Sequence, residues 1–154
     1  MDALDGKLLD LFTAEPRIGV LEASRRLGVA RATVQARLDK LAASGVVTGW
    51  GPVLSPEALG YPVTGFLTLE IRQGAGHDAV AEHLAAIPEV LEAFTITGAG
   101  DMWARVVARS NADLQRVIDL VLDHGGIDRS TTVIALATQI PHRVLPLARA
   151  AVRA

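Results

Sequence analysis

The chain has 154 residues, half of them hydrophobic and only 4% aromatic, with a formal net charge of −2. This length suits one medium domain or two small ones built around an aliphatic core. The absence of cysteine excludes disulfides and thiolate metal sites. No apolar run approaches the roughly 20 residues of a membrane helix, and the acidic start MDALDGKLLD lacks an export signal. We therefore expect a soluble cytoplasmic protein without a membrane partner.

The first 43 residues have the hydrophobic period of helices. A first helix is predicted from four apolar residues that share one face, namely Leu4, Leu8, Leu11 and Phe12. Pro16 and Gly19 end it, and two further helices are expected over about 19–27 and 30–43. Gly28 lies between these two helices, at a turn where a positive φ suits only glycine. Three short helices with tight connections predict a helix-turn-helix.

Positive charge is concentrated in this segment. Residues 17–40 contain six Lys/Arg and two Asp/Glu, a net charge of +4. Arginine, glutamine and threonine side chains hold phosphates or contact base edges in the major groove of DNA. The candidate DNA-binding residues are Arg25, Arg26, Arg31, Thr33, Gln35 and Arg37. Because the patch is modest, we expect several copies to share the binding.

The arginine and glutamine candidates for DNA binding each have an alternative interpretation. Arg31, Gln35 and Arg37 are also typical of a solvated helix face, and Arg25 and Arg26 of a soluble surface. Arg37 has the further alternative of an internal salt bridge with Glu22 or Asp39.

A change of period follows the third helix. Val46, Val47 and residues 50–54 predict a short strand, the wing. Residues 51–62 contain three of the seven prolines and form a linker or hinge. Within this linker, Ser55–Pro56–Glu57 suits the start of a single helical turn.

The second half alternates between strand and helix periods. Strands are predicted at 63–72, 90–97, 102–109 and 131–138, and helices at 77–87 and from Ser110–Asp113 to His124. In the second strand, Val90, Phe94 and Ile96 are expected on one face. The order β-α-β-β-α-β is the ferredoxin-like arrangement, whose sheet has helices on one face only. The other face needs a partner, which predicts a homodimer.

The predicted fold class is α+β, with an N-terminal winged helix-turn-helix followed by a ferredoxin-like βαββαβ domain for dimerisation. The expected divisions are residues 1–50 (DNA binding), 51–62 (hinge), 63–140 (the βαββαβ domain, for oligomerisation) and 141–154 (tail). The tail has the pattern of an amphipathic helix that docks on a neighbour, with a membrane-surface role as the weaker alternative.

Several segments, taken in order, resemble the Lrp/AsnC family of transcription regulators. They include Leu27–Gly28–Val29, the pattern of Val34, Arg37, Leu41 and Gly45–Val46, the hinge Leu59–Gly60–Tyr61, and Pro88–Glu89–Val90. The loop Thr97–Gly98–Ala99–Gly100–Asp101 matches the T-G-x-x-D motif of the family. The resemblance covers about residues 3–140.

The resemblance implies a sequence-specific regulator that forms dimers, often assembled into octamers, and binds a small effector, usually an amino acid, between dimers. It implies that residues 63–140 are the effector-binding and oligomerisation domain. By position, the implied effector residues are Thr97, Gly98, Ala99, Gly100 and Asp101, with Met102, Val133, Ala135, Thr138 and Gln139 as weaker candidates. Glycines let a carboxylate approach backbone N–H groups, and an aspartate pairs with an α-ammonium group. The alternative for this loop is a plain hairpin connection.

Some residues depart from the family pattern. Ala30 stands where a serine cap is common, and Asp39 where a basic residue is common. Arg31 occupies a variable position, which makes it a candidate for specificity.

No pattern in the sequence favours catalysis or a metal. The four histidines are scattered, and G-A-G-D lacks the context of a dinucleotide fingerprint. We expect no enzyme activity, cofactor or metal, and double-stranded DNA, the effector and further copies of the chain as partners. The main alternative is an architectural DNA-binding protein without an effector response. An enzyme or a sensor that acts through protein partners is a more distant one.

Overall fold

The structure, a computed structural model, describes residues 1–153 and the side chains of residues 1–152. The chain divides into two compact units. The first unit contains residues 1–53 and the chain from residue 140 onward, and the second unit contains residues 54–139. The described elements, in chain order, are α1 (Ala3–Ala14), α2 (Val20–Leu27), α3 (Arg31–Ala43), β1 (Val63–Ile71), α4 (His77–Ala85), β2 (Val90–Thr95), β3 (Met102–Ala108), α5 (Asn111–Leu122), β4 (Ile127–Ile134) and α6 (Leu145–Arg153).

The first unit confirms the predicted helix-turn-helix. Its core is formed by side chains of α1, α2 and α3, with Leu8, Ala23, Val34 and Leu38 all buried. Gly28 adopts the left-handed conformation (φ 65°, ψ 33°) between α2 and α3, as expected from its position. Helix α3 begins at Ala30 without a side-chain cap, so packing rather than capping fixes its start.

The predicted wing strand is wrong. Residues 46–54 form no strand in the described chain, and Val53 is fully exposed. A strand needs a hydrogen-bonded neighbour, and Pro52 lacks a backbone donor while Gly49 and Gly51 weaken any strand. The helical turn predicted after Ser55 is present, because Leu59 N–H donates to the Ser55 carbonyl at 3.1 Å.

The second unit confirms the βαββαβ order. Its antiparallel sheet has the strand order β2-β3-β1-β4. Helices α4 and α5 pack on one face of this sheet through a core of aliphatic side chains. The largest of those that are fully buried are Leu67, Leu69, Val80, Leu84, Val106, Val117 and Val121.

Two details of the strands differ from the prediction. Strand β4 spans residues 127–134 rather than 131–138, because its length is set by pairing with β1, from Ile71 opposite Ile127 to Gly65 opposite Ile134. In β2, an irregularity between Val90 and Glu92 shifts the alternation. Val90 therefore packs toward the core, whereas Phe94 lies beside Trp103 on the opposite face.

The C-terminal tail is helical, as predicted, but α6 packs against α1 of its own chain rather than a separate neighbour. A Cβ atom added to Gly6 of α1 would lie 3.1 Å from Cγ2 of Val152 in α6. Within the described residues, no helix is long and apolar enough to cross a membrane.

Candidate functional site

Helix α3 presents the exposed side chains of Arg31 and Thr33 in its first turn, next to the Gly28 turn. Within residues 1–153, neither side chain makes a hydrogen bond or ion pair. Val34, Leu38 and Leu41, on the other side of α3, are buried and hold the helix in place. The first turn of α3 therefore carries polar groups that remain available to a ligand.

Gln35 is also exposed but has a partner. Its Nε2 donates to Oδ1 of Asp39 one turn later, at 2.8 Å. Asp39, which departs from the family pattern, therefore pairs with an amide rather than with an Arg or Lys. To contact a base edge, Gln35 must exchange this hydrogen bond, which is inexpensive at an exposed position.

Arg37 links α3 to the start of α1. Its guanidinium donates to Asp5, with Nη1 and Oδ1 3.1 Å apart, and to Asp2. Hydrogen bonds to Asp2 and then Asp5 raise the pKa of Arg37. The backbone N–H of Asp5, and next the Arg37 hydrogen bond, lower the pKa of Asp2. The internal salt bridge considered for Arg37 thus exists, but its predicted partners, Glu22 and Asp39, were wrong.

Arg26 and Arg25 both lie near carboxylates. Arg26 donates to Glu15 and, from Nε at 3.2 Å, to Glu22, and these two contacts, Glu15 first, raise its pKa. Arg25 is more exposed, and its Nη1 lies 3.8 Å from Glu22. Of the six DNA candidates, Arg25, Arg31 and Thr33 are the three whose side chains make no hydrogen bond within the described residues.

The loop between β2 and β3 is shaped by two glycines, Gly98 (φ +101°) and Gly100 (φ +89°). A Cβ on Gly100 would lie 2.5 Å from Cγ2 of Thr68 and 3.1 Å from the Leu69 carbonyl oxygen, so only glycine fits. Asp101 N–H donates to the same carbonyl at 2.8 Å. The loop is thereby fixed to β1 while Thr97, Gly98 and Ala99 remain exposed.

The carboxylate of Asp101 already has a structural role. Its Oδ2 accepts from the backbone N–H of Ile71 at 2.7 Å, where the pairing of β1 with β4 is irregular. The fold accounts for one carboxylate oxygen of this partly exposed residue, which leaves Oδ1 for a ligand.

The remaining effector candidates differ in their distance from this loop. Met102 directly follows Asp101, but its side chain is buried in the core, with 3% of its surface exposed. Val133 pairs with Phe66, and Ala135 N–H donates to the Thr64 carbonyl at 2.9 Å. The loop bonds to Leu69, which lies three residues along β1 from Phe66 and five from Thr64. At 3.4 Å per residue, the loop is therefore about 10 Å along the strand from Val133 and about 17 Å from Ala135.

The sheet face opposite α4 and α5 carries a group of aromatic residues that the sequence analysis did not assemble. Trp103 stacks on Phe66 (centroids 5.1 Å apart, planes at 18°) and lies 5.9 Å from Phe94. Beside them, Arg105 pairs with Glu92 at 3.5 Å. We call these five residues the open sheet face. Register between strands, which the sequence does not specify, is what brings them together.

No group of three or more His, Asp or Glu side chains in the part of the chain that the structure describes is arranged to hold a metal.

Two family models match this chain. The AsnC-type helix-turn-helix domain matches residues 1–42, and the Lrp/AsnC ligand binding domain matches residues 64–145. The chain belongs to the Lrp/AsnC family. It is therefore a transcription regulator with a DNA-binding domain and a ligand-binding domain, and its relatives are regulators rather than enzymes.

Named relatives extend over nearly the whole chain. The HTH-type transcriptional regulator FL11 of Pyrococcus horikoshii is 29% identical over 147 residues, which cover 96% of this chain and 97% of the relative. The structure of Escherichia coli AsnC is 28% identical, has a TM-score of 0.86, and matches 95% of this chain and 99% of that one. A transcriptional regulator from Neisseria meningitidis, solved with L-methionine, is 27% identical with a TM-score of 0.76, covering 92% and 93%.

Proposed function

We propose that this Lrp/AsnC regulator binds specific DNA sites as a homodimer or higher oligomer and that an amino acid controls it. Arg31 and Thr33 would contact the DNA directly, supported by Arg25 and, after exchange of their present partners, Gln35, Arg26 and Arg37. Since its target is genomic DNA, we place its action in the cytoplasm.

Dimerisation is supported by the open sheet face. Phe94 is 52% exposed, and Val133, the cross-strand neighbour of Phe66 on β4, is 62% exposed. Stable monomers rarely leave such aromatic and aliphatic side chains together in water. Because Arg105 and Glu92 on this face already pair with each other, their charges are balanced within each chain when a second copy related by a twofold axis packs there.

The placement of the effector candidates is the observation that carries the effector proposal. Within one chain, the Gly98–Asp101 loop lies about 10 Å along β1 from Val133 and about 17 Å from Ala135, so one small amino acid would not contact the loop and Ala135 together. Residues from different chains would have to meet, as at a contact between dimers. The loop would bind the carboxylate through its backbone N–H groups, and Asp101 would bind the ammonium group.

Titration calorimetry with each of the twenty amino acids, combined with mass measurement in solution, tests this proposal. We expect binding of at least one amino acid and a change in DNA affinity or oligomer mass. The proposal is contradicted if none of the twenty amino acids binds.

That outcome favours the second candidate function, an architectural DNA-binding protein without an effector. The hydrogen bond from Ile71 N–H to Asp101 and the steric need for Gly100 support this candidate, because they explain the loop without any ligand.

A further inference from the structure

Helix α6 is fixed to α1 by two kinds of contact. Gly6 leaves room for Val152 to approach the α1 backbone closely. One turn later, Asp10 accepts a hydrogen bond from Nε of Arg149 at 2.7 Å. The N- and C-terminal helices of the chain thus pack together in the first unit.

This contact uses the side of α1 that faces away from the helix-turn-helix core. Gly6 and Asp10 each lie two residues from Leu8, which is about 200° around the helix axis. Leu8 is fully buried in the core with Val34 and Leu38. Helix α6 therefore does not build the helix-turn-helix core, and its docking must serve another purpose.

The path of the chain indicates what that purpose is. The chain passes between the units twice, once after Val53 and once after Gln139. The second passage lies in the segment that joins the end of β4 at Ile134 to the start of α6 at Leu145. Residues 135–139 of this segment, which belong to the second unit, include three of the effector candidates.

We propose that α6 is a clasp that gives the DNA-binding unit a second connection to the ligand-binding unit and transmits effector binding from residues 135–139 to α1. This step rests on the effector role proposed above. Only residues 140–144 separate residues 135–139 from α6. A ligand that orders residues 135–139 therefore restricts the positions that α6 can reach and so shifts the population of α6 docked on α1.

The first test releases the clasp in the full-length protein. Gly6→Met places a side chain where Val152 packs, while methionine favours a helix more than glycine does, so α1 itself is not weakened. Ala14→Met adds the same side chain at an exposed position of the same helix and is the control. Val152→Asp breaks the contact from α6, outside the helix-turn-helix core.

Hydrogen exchange reports α6 docking, and DNA affinity is measured with and without each of the twenty amino acids. We expect exposed α6 amides in Gly6→Met and Val152→Asp but not in Ala14→Met. The effector should change DNA affinity by about fivefold or more in wild type and Ala14→Met, and by less than about twofold in the released variants. Protected α6 amides in both variants, or a full response with α6 exposed, overturns the proposal.

A second test needs no effector. Insertion of about ten Gly/Ser residues after Gln139 keeps α6 intact but loosens its connection. The preference for paired half-sites at one spacing over a spacing five base pairs longer, about half a helical turn, should fall at least about fivefold. If wild type binds none of the amino acids, the effector proposal fails while this test still decides the clasp. The clasp proposal is overturned if the insertion leaves this spacing preference unchanged, or if the wild-type protein shows no such preference.

Discussion

Arg37 of α3 holds the buried carboxylate of Asp5 in α1, with Nη1 and Oδ1 3.1 Å apart. Asp5 is only 1% exposed, and its other hydrogen bond comes from the backbone N–H of Asp2 at 2.9 Å. Arg37, one of the candidate DNA contacts, is therefore also part of the fold of the helix-turn-helix.

Replacement of this arginine should destabilise the first unit. Arg37→Ala leaves the buried Asp5 without its charged partner, a situation that typically costs about 1–3 kcal/mol. We expect a lower midpoint of urea denaturation, followed by Trp50 fluorescence, because Trp50 packs on Phe12 of α1 with ring centroids 5.6 Å apart. An Arg37→Ala protein as stable as wild type would show that this pair is not structural.

Arg31→Ala is the matched substitution without a structural role. It removes an exposed side chain that has no partner within the described residues, so its stability should remain within about 0.5 kcal/mol of wild type. DNA affinity should fall, and the slope of log affinity against log salt should decrease by about 0.9 if one phosphate contact is lost. An unchanged affinity together with an unchanged slope would remove Arg31 from the DNA-binding surface.

The two roles of Asp101 can be separated by two substitutions. Asp101→Asn keeps an oxygen to accept from Ile71 N–H but removes the charge, so the loop should stay folded while amino-acid affinity falls about tenfold or more. Asp101→Ala also removes the acceptor and should lower the melting temperature. Calorimetry and thermal denaturation measure these effects. Normal amino-acid affinity in Asp101→Asn would show that the charge does not bind the ammonium group.

The open sheet face should control the association of chains. Trp103→Asp places a charge among Phe66 and Phe94 and should shift the protein toward monomer in sedimentation velocity experiments. Leu120→Asp, at a 39% exposed position of α5 on the other side of the second unit, is the control and should leave the mass unchanged. A Trp103→Asp protein with wild-type mass would exclude this face as the dimer contact.

Asp113 should contribute to the acid sensitivity of the second unit. Its hydrogen bond from Arg116, and next that from the Arg109 backbone, lower the pKa of Asp113 below its ordinary value of 3.8. A carboxyl pKa that is lower in the folded than in the unfolded protein stabilises the fold at pH values above the unfolded-state pKa. This stability is lost as the pH falls through the folded-state pKa. Asp113→Asn should therefore lose less stability than wild type when the pH is lowered from about 5 to 3. Identical pH dependence of the two proteins would contradict this assignment.

The sequence by itself determined the elements whose signals are local. Helix periods, the glycine at the α2–α3 turn and the order of strands and helices all depend on neighbouring residues, and each appears in the structure. The wing strand was wrong because a strand also depends on a partner strand. The start of β4 and the face of Phe94 were wrong for the related reason that strand pairing and a local irregularity set them.

Only the tertiary structure decided which distant residues meet. The contacts of Arg37 with Asp2 and Asp5, of Asp101 with Ile71 and of Arg149 with Asp10 join residues 30 or more positions apart. Such contacts carry no periodic signal, because packing of whole elements creates them. The sequence therefore predicted a DNA-binding helix and a glycine loop. The fold determined which of their side chains hold the protein together and which remain available to a ligand.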